Sequence, residues 1–135
     1  MQNRTKYADI SGVATAQKKI LVVEDNPNMS SLLADMLEVF AVESVRATDG
    51  EDALDKLSGN DIGMVITDLR MPRMSGTELL VAVKDRHPAL PVVLISGFSI
   101  NEADDQDAAK RADGFLMKPF RMQDIKGILE RFFVQ

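Results

Sequence analysis

The 135-residue sequence contains no cysteine, no tryptophan and a single histidine, His87. Without cysteine the chain can form neither a disulfide nor a thiolate metal site, and one histidine cannot build a site of several imidazoles. No apolar run approaches the roughly 18 residues of a membrane helix, and the N-terminus has no apolar segment typical of a secretion signal. We therefore expect a cytoplasmic protein without a membrane partner.

An excess of basic residues is also missing. Lysine and arginine number 16 against 21 aspartates and glutamates, which gives a net charge of −5. Because an acidic chain is not attracted to the phosphates of nucleic acids or anionic lipids, we expect no direct binding of nucleic acid. Hydrophobic residues make up 45% of the chain and charged residues 27%, which indicates one ordinary globular domain.

Short apolar runs alternate with helical patterns from Lys18 onward. The runs lie at 20–23, 42–45, 64–66, 92–95 and 115–117. Continuous apolar strands separated by helices indicate a parallel sheet with helices on both faces. We therefore predict an α/β domain at 18–135. Residues 1–17 are polar and aperiodic, and we expect them to form a flexible N-terminal extension.

Five helices are predicted between and after these strands, at about 29–40, 51–57, 76–86, 101–111 and 122–133. The first has the clearest amphipathic pattern, and Asn26-Pro27 before it is typical of a cap followed by proline in the first turn. The stretch at 101–111 offers mainly alanine to a core. Because hydrophobic stabilisation scales with buried area, at about 25 cal/mol per Å², we expect this helix to be held loosely.

Polar residues follow four of the predicted strands at the point where each strand ends. They are Glu24, Asp25, Asp68, Ser96 and Lys118. In an open parallel sheet, ligands bind outside the carboxyl ends of the strands, so these side chains indicate one site. Carboxylates about 4 Å apart repel by roughly 4 kcal/mol at an effective dielectric near 20. A divalent cation relieves that repulsion, and oxygen ligands suit Mg²⁺ or Mn²⁺.

Each of these residues also has an ordinary structural interpretation. Asp25 could cap the following helix, and Asp68 and Ser96 are common turn residues. Lys118 is harder to explain in this way, because a lysine at an inner strand end needs a counter-ion. A bridge from Lys118 to Asp68 would complete the pocket, and Pro119 allows a cis peptide that directs the lysine inward.

Four segments, in this order, resemble the response-regulator receiver domain of two-component signalling. They are Val22–Asn26, Asp68–Gly76, Leu94–Gly97 and Lys118–Phe120, and the resemblance spans about 18–133. It implies a flavodoxin-like, doubly wound α/β fold with five parallel strands in the order 2-1-3-4-5 and five helices.

The resemblance also implies a role for each acidic residue of the predicted site. Asp68 would be the phosphoacceptor. Glu24, Asp25 and Asp68 would hold Mg²⁺, and the backbone carbonyl of Arg70 would complete the protein ligands. Glu24 stands where the family more often has aspartate, so its longer side chain would bind the metal through water.

The other site residues are expected to bind and report the phosphoryl group. By the same resemblance Ser96 and Lys118 would bind its oxygens, and Phe115 lies at the family's aromatic switch position. Movement of Ser96 toward the phosphoryl oxygens would vacate space into which the Phe115 ring can turn. Serine at 96 keeps the hydroxyl of the more frequent threonine, and Phe115 lacks the hydroxyl of tyrosine.

The function that these implications predict is a signalling switch that catalyses only its own phosphorylation and dephosphorylation. The donor would be a histidine kinase or a phosphotransfer protein, and the target a downstream protein. We expect the changed surface to comprise the helix at 101–111, the strand at 115–117 and the helix at 122–133. A phosphorylation-dependent homodimer would use the same surface.

Three other functions are alternatives to this switch. The chain could be a receiver segment of a hybrid histidine kinase or of a longer regulator. A phosphohydrolase with an aspartyl nucleophile would need a second acid two residues after Asp68, where the chain has Arg70. A nucleotide- or flavin-binding protein would need a glycine-rich loop after the first strand, where Glu24 and Asp25 would repel phosphate.

Overall fold

The computed structural model describes residues 18–97 and 110–133. Five strands and four helices lie in these ranges: β1 (Lys19–Val23), α1 (Pro27–Val39), β2 (Ser44–Ala47), α2 (Gly50–Gly59), β3 (Ile62–Asp68), α3 (Gly76–Arg86), β4 (Val92–Ser96), β5 (Gly114–Met117) and α4 (Met122–Phe132). Four of the five predicted helices are thus confirmed. Most of the remaining one, predicted at 101–111, lies outside the described residues, as does the predicted extension at 1–17.

The strands form one parallel sheet in the order β2-β1-β3-β4-β5. This arrangement confirms the predicted flavodoxin-like topology. The register pairs Val23 of β1 with Thr67 of β3, and Asp68 with Ile95 of β4. The residues that follow Val23 therefore emerge beside Asp68, at the carboxyl edge of the sheet.

Two hydrophobic clusters cover the two faces of the sheet. One packs strand residues such as Ile20 and Ile66 against α1 and α4, and includes Leu33 and Ile125. The other packs the opposite strand faces, including Val65, against α2 and α3. Because the central strands are buried on both faces, their apolar runs are continuous rather than alternating.

The end of α1 explains why the second strand begins later than predicted. Ala41 has a φ of 62°, and the amides of Phe40 and Val42 both donate to the carbonyl of Leu37, at 3.0 and 3.1 Å. This left-handed turn satisfies the last carbonyls of the helix. Val42 consequently lies in the core beneath α1, and the strand predicted at 42–45 is observed at Ser44–Ala47, so the predicted bounds are wrong.

Caps determine where the helices beside the carboxyl edge begin. The Asn26 side chain accepts hydrogen bonds from the amides of Asn28 and Met29, at 2.9 and 3.1 Å, and Pro27 begins α1, as predicted. Ser75 and Glu78 form a reciprocal capping box at the start of α3. Since Asn26 is the cap of α1, Asp25 does not serve that purpose.

Candidate functional site

Three carboxylates meet at the carboxyl edge of the sheet. Glu24, Asp25 and Asp68 each place one oxygen within 4.8 Å of the other two. Glu24 and Asp68 are buried, whereas Asp25 is exposed. The strand register thus brings together the three acids that the sequence predicted would converge.

Glu24 is the most perturbed of these acids. Its Oε2 accepts a hydrogen bond from the Asn26 amide at 3.1 Å, whereas Oε1 is buried and accepts none. Burial is the main cause that raises the pKa of Glu24 to about 7, and the negative charge of Asp68 adds to it. An acceptor oxygen without a donor, in a cluster of acids, leaves a position that a cation would satisfy.

The donor set fits a hard divalent cation. Every side-chain donor is a carboxylate oxygen, and one face of the cluster is open through the exposed Asp25. Such ligands suit Mg²⁺ or Mn²⁺ rather than softer metals. The fourth predicted ligand, the carbonyl of Arg70, lies on the loop that begins at Asp68, and its role stays a prediction.

Lys118 supplies the positive charge of the pocket. Its Nζ lies 3.4 Å from Asp68 Oδ2 and 3.9 Å from Glu24 Oε1. The first distance matches the predicted bridge to Asp68, and the second is an ion pair too long for a hydrogen bond. The Lys118 amide donates to the Ser96 carbonyl at 2.9 Å, and the Lys118–Pro119 peptide bond is cis, as the sequence allowed.

Asp68 is held at both carboxylate oxygens. Oδ1 accepts a hydrogen bond from the Arg70 amide at 3.2 Å, and Oδ2 faces the Lys118 ammonium. The carboxylate therefore has a defined orientation at the end of a rigid, buried strand. An ionised carboxylate held in this way can act as a nucleophile toward phosphorus.

Ser96 and Phe115 lie on the neighbouring strands β4 and β5. Ser96 ends β4 and is buried, in register with Met117. Phe115 pairs with Leu94 and is 44% exposed, so its ring has not turned into the interior. Their roles as phosphoryl ligand and switch stay predictions.

Gly76 is a site residue whose role sequence reasoning missed. A Cβ at this position would collide with the carbonyl oxygen of Asp68 and with Cα of Leu69. The Gly76 amide also donates to the Leu69 carbonyl at 2.9 Å, so the start of α3 lies directly against the end of β3. The signal in the sequence was a glycine, a poor helix former, immediately after the Ser75 cap.

An open parallel sheet in the order 2-1-3-4-5 with helices on both faces defines the class of flavodoxin-like α/β domains. The acidic cluster and Lys118 lie at the carboxyl edge of this sheet. Residues 20–130 match the family described as response regulator receiver domain, and the chain belongs to that family. Receiver domains act as signalling switches that interact with histidine kinases and downstream effectors. Among the described residues, no helix combines the length and the apolarity of a membrane span.

Two longer proteins carry similar segments. The sensor histidine kinase RcsC of Escherichia coli K12 is 36% identical over 110 residues, which cover 82% of this chain and 12% of RcsC. The nitrogen assimilation regulatory protein NtrX of Azorhizobium caulinodans is 34% identical over 114 residues, which cover 83% of this chain and 25% of NtrX. The chain thus spans a small part of these relatives.

Solved receiver structures share the fold over most of the chain. The response regulator TrrA from Thermotoga maritima, in complex with Mg²⁺-BeF, has a TM-score of 0.79 and 29% identity, and the match covers 87% of this chain and all of TrrA. The receiver domain of NtrX from Brucella abortus has a TM-score of 0.77 and 34% identity, covering 84% of this chain and 96% of that domain.

Proposed function

We propose that the chain, with residues 18–135 as its receiver domain, accepts a phosphoryl group on Asp68 with the help of Mg²⁺. The donor is a histidine kinase or a phosphotransfer protein in the cytoplasm, and the phosphorylated chain acts on a downstream protein. The observation that carries this proposal is the meeting of Asp68 with Glu24, Asp25 and Lys118 in one pocket.

The chemistry is nucleophilic transfer. An Asp68 oxygen attacks the phosphorus of a phosphohistidine, the P–N bond breaks, and its electron pair stays on the imidazole nitrogen. An acyl phosphate forms on Asp68. Water later attacks that phosphorus, the bond between phosphorus and the Asp68 oxygen breaks, and the carboxylate is restored with release of inorganic phosphate. Mg²⁺, held by Glu24, Asp25, Asp68 and the Arg70 carbonyl, would neutralise charge on the phosphoryl oxygens.

Lys118 and Ser96 act on the phosphoryl oxygens from the other side of the pocket. The Lys118 ammonium already faces Asp68 Oδ2 at 3.4 Å, so it can neutralise an oxygen of a group attached there. The Ser96 hydroxyl donates to another oxygen. The phosphoryl group brings about −1.5 to −2 charge and new acceptor oxygens, enough to draw Ser96 toward it.

The signal then passes to the surface through Phe115. Its ring is 44% exposed, and we propose that it turns inward when Ser96 moves. The surface that changes comprises β5, α4 and the helix predicted at 101–111. A downstream protein, or a second phosphorylated copy in a homodimer, binds this surface.

A second candidate keeps this chemistry within a longer protein. The match covers 12% of RcsC and 25% of NtrX. These shares favour a receiver segment of a hybrid kinase or of a longer regulator. The extent of the full-length gene would show whether the receiver stands alone or is a segment of a longer protein. A phosphohydrolase is disfavoured, because the position two residues after Asp68 holds the base Arg70, which cannot protonate a leaving group.

The test is labelling of Asp68. We expect wild-type protein with Mg²⁺ and acetyl phosphate, or a cognate kinase, to gain the mass of one phosphoryl group. Asp68→Asn should gain none, and Asp55→Asn, an exposed acid on α2, should be labelled like the wild type. Absence of labelling in the wild type with both donors would refute the proposal.

A further inference from the structure

Two loops at the carboxyl edge of the sheet contact each other, each through two consecutive residues. One is the segment Asp49–Gly50 at the start of α2, and the other is Arg73–Met74 in the loop between β3 and α3. Arg73 Nη1 lies 3.2 Å from Asp49 Oδ2, and Met74 packs on Gly50. The same loop contains Arg70, so its position matters to the cation site.

The contact between Gly50 and Met74 requires glycine. A Cβ at residue 50 would lie 2.5 Å from Met74 Sδ and 2.8 Å from its Cβ and Cγ. The sulfur is at the flexible end of its side chain, but the Met74 Cβ moves only with the loop backbone. An alanine at 50 would therefore displace the loop and not merely a rotamer.

The contact between Asp49 and Arg73 holds a strained turn. Arg73 has a φ of 68°, and the Met74 amide donates to the Pro72 carbonyl at 2.8 Å, which closes a tight three-residue turn. A left-handed conformation is unfavourable for a residue with a Cβ, so neighbouring contacts must maintain it. The two oxygens of the Asp49 carboxylate have different partners. Oδ2 pairs with Arg73, and Oδ1 caps α2 by accepting a hydrogen bond from the Asp52 amide at 2.8 Å.

Arg70 lies between two fixed points of the loop, the hydrogen bonds at the end of β3 and the contact of Arg73 with Asp49. On its N-terminal side, the Leu69 amide donates to the Ile95 carbonyl at 2.9 Å, and the Arg70 amide donates to Asp68 Oδ1. On its C-terminal side, three residues further, Arg73 and Met74 rest on α2. A shift of Arg73–Met74 would therefore reorient the peptide that carries the Arg70 carbonyl.

We propose that the packing of Arg73–Met74 on Asp49–Gly50 positions the Arg70 backbone carbonyl for the divalent cation. Gly50, Asp49 and Arg73 are then positioning residues of the cation site, although none of them is a ligand. This inference rests on the proposed function, because it assumes that the pocket binds Mg²⁺ before phosphoryl transfer.

The first test is the Mg²⁺ affinity of Gly50→Ala, measured by isothermal titration calorimetry without a phosphoryl donor. We expect the dissociation constant to rise about tenfold, the usual effect of losing support for a metal ligand. Gly59→Ala is the matched control, since it lies on the same helix and its Cβ would meet nothing within 4 Å. Its affinity should equal that of the wild type.

The second test separates the ion pair from the glycine contact. Arg73→Gln removes the charge and should weaken Mg²⁺ binding, whereas Arg73→Lys keeps a cation and should retain affinity. Both variants change an exposed side chain, so they fold even where Gly50→Ala does not. Amide hydrogen exchange in Mg²⁺-free protein should be faster at Arg70 and Met74 in Arg73→Gln, but not in Arg73→Lys.

The outcomes distinguish this inference from the proposed function. Wild-type Mg²⁺ affinity and unchanged exchange in both Gly50→Ala and Arg73→Gln would overturn the positioning role while leaving the function intact. A wild-type protein that neither binds Mg²⁺ nor is labelled at Asp68 would overturn both. Equal weakening in Arg73→Gln and Arg73→Lys would overturn the part assigned to the ion pair.

Discussion

The Lys118 ammonium lies 3.4 Å from Asp68 Oδ2, on residues fifty positions apart in the chain. It also lies 3.9 Å from Glu24 Oε1, so one ammonium faces two buried carboxyl groups. This leaves the cluster net negative, since Asp25 adds a third acid. The lysine therefore orients Asp68 without removing the attraction for a divalent cation.

Glu24 should make the stability of the metal-free protein depend on pH. Because its pKa is raised from 4.5 to about 7, the folded state keeps a proton that the unfolded state releases. The free energy of unfolding should then fall as the pH rises from about 4.5 to 7, by up to ~3 kcal/mol from this group. Glu24→Gln should remove this decrease of the free energy of unfolding with pH, and saturating Mg²⁺ should reduce it.

Urea denaturation across this pH range, with a chelator present, measures the effect. The difference between wild type and Glu24→Gln isolates the group from other acids that titrate nearby. Parallel stability curves for the two proteins would show that Glu24 is not protonated in the fold.

Lys118→Gln should separate cation binding from phosphoryl transfer. The Lys118 ammonium lies about 4 Å from the acids and competes with the cation for them. Its removal should tighten Mg²⁺ binding by at least about fivefold, since even in water two unit charges at this distance interact by ~1 kcal/mol. Labelling of Asp68 by acetyl phosphate should nevertheless slow, because the charge facing Oδ2 is lost. Calorimetry and mass spectrometry measure the two effects, and weaker binding of Mg²⁺ would contradict the prediction.

Lys84→Met should lower stability without touching the pocket. Lys84 Nζ is 2.7 Å from Asp113 Oδ2 and 2.9 Å from the Leu90 carbonyl, at the end of the sheet where β4 and β5 begin. Without the largely buried ammonium, the Asp113 carboxylate and the Leu90 carbonyl lose this donor. The free energy of unfolding should fall by about 2 kcal/mol.

Thermal denaturation of Lys84→Met and of Lys126→Met provides the comparison. Lys126 is exposed on α4, so its substitution should change the free energy of unfolding by less than about 0.5 kcal/mol. Labelling of Asp68 should be normal in both variants at low temperature. A labelling defect in Lys84→Met alone would mean that this end of the domain communicates with the pocket.

Gly127→Ala should stabilise the protein. Gly127 lies in the middle of α4, and a Cβ there would meet nothing within 4 Å. Alanine removes the entropic cost of glycine in a helix, which is worth about 1 kcal/mol. A higher melting temperature is expected, and Gly76→Ala should do the opposite, because its Cβ would strike the Asp68 carbonyl.

Local pattern was enough to predict most of the architecture. The runs at 20–23 and 92–95 are apolar throughout because both faces of those strands are buried, and the Asn26-Pro27 pair signals the start of α1 by its chemistry alone. The start of the second strand was misplaced because the left-handed turn at Ala41 has none of the usual glycine signal.

The meeting of Glu24, Asp25, Asp68 and Lys118 could also be predicted, because parallel strands deliver their carboxyl ends to one edge of the sheet. Sequence could not predict that Glu24 is buried with an oxygen that accepts no hydrogen bond, since burial depends on what packs around it. Nor could it predict the contact of Asp49 with Arg73, which joins two loops whose approach the sheet order determines.

The sequence by itself thus predicted most of the elements, their succession along the chain and which acids lie at strand ends, because periodicity and residue chemistry are local properties. Tertiary structure alone decided which oxygen of Asp68 faces Lys118, why Gly50 and Gly76 must lack side chains, and how the loop carrying Arg70 is held. These are distances between residues remote in the chain, and only the packed sheet brings such residues together.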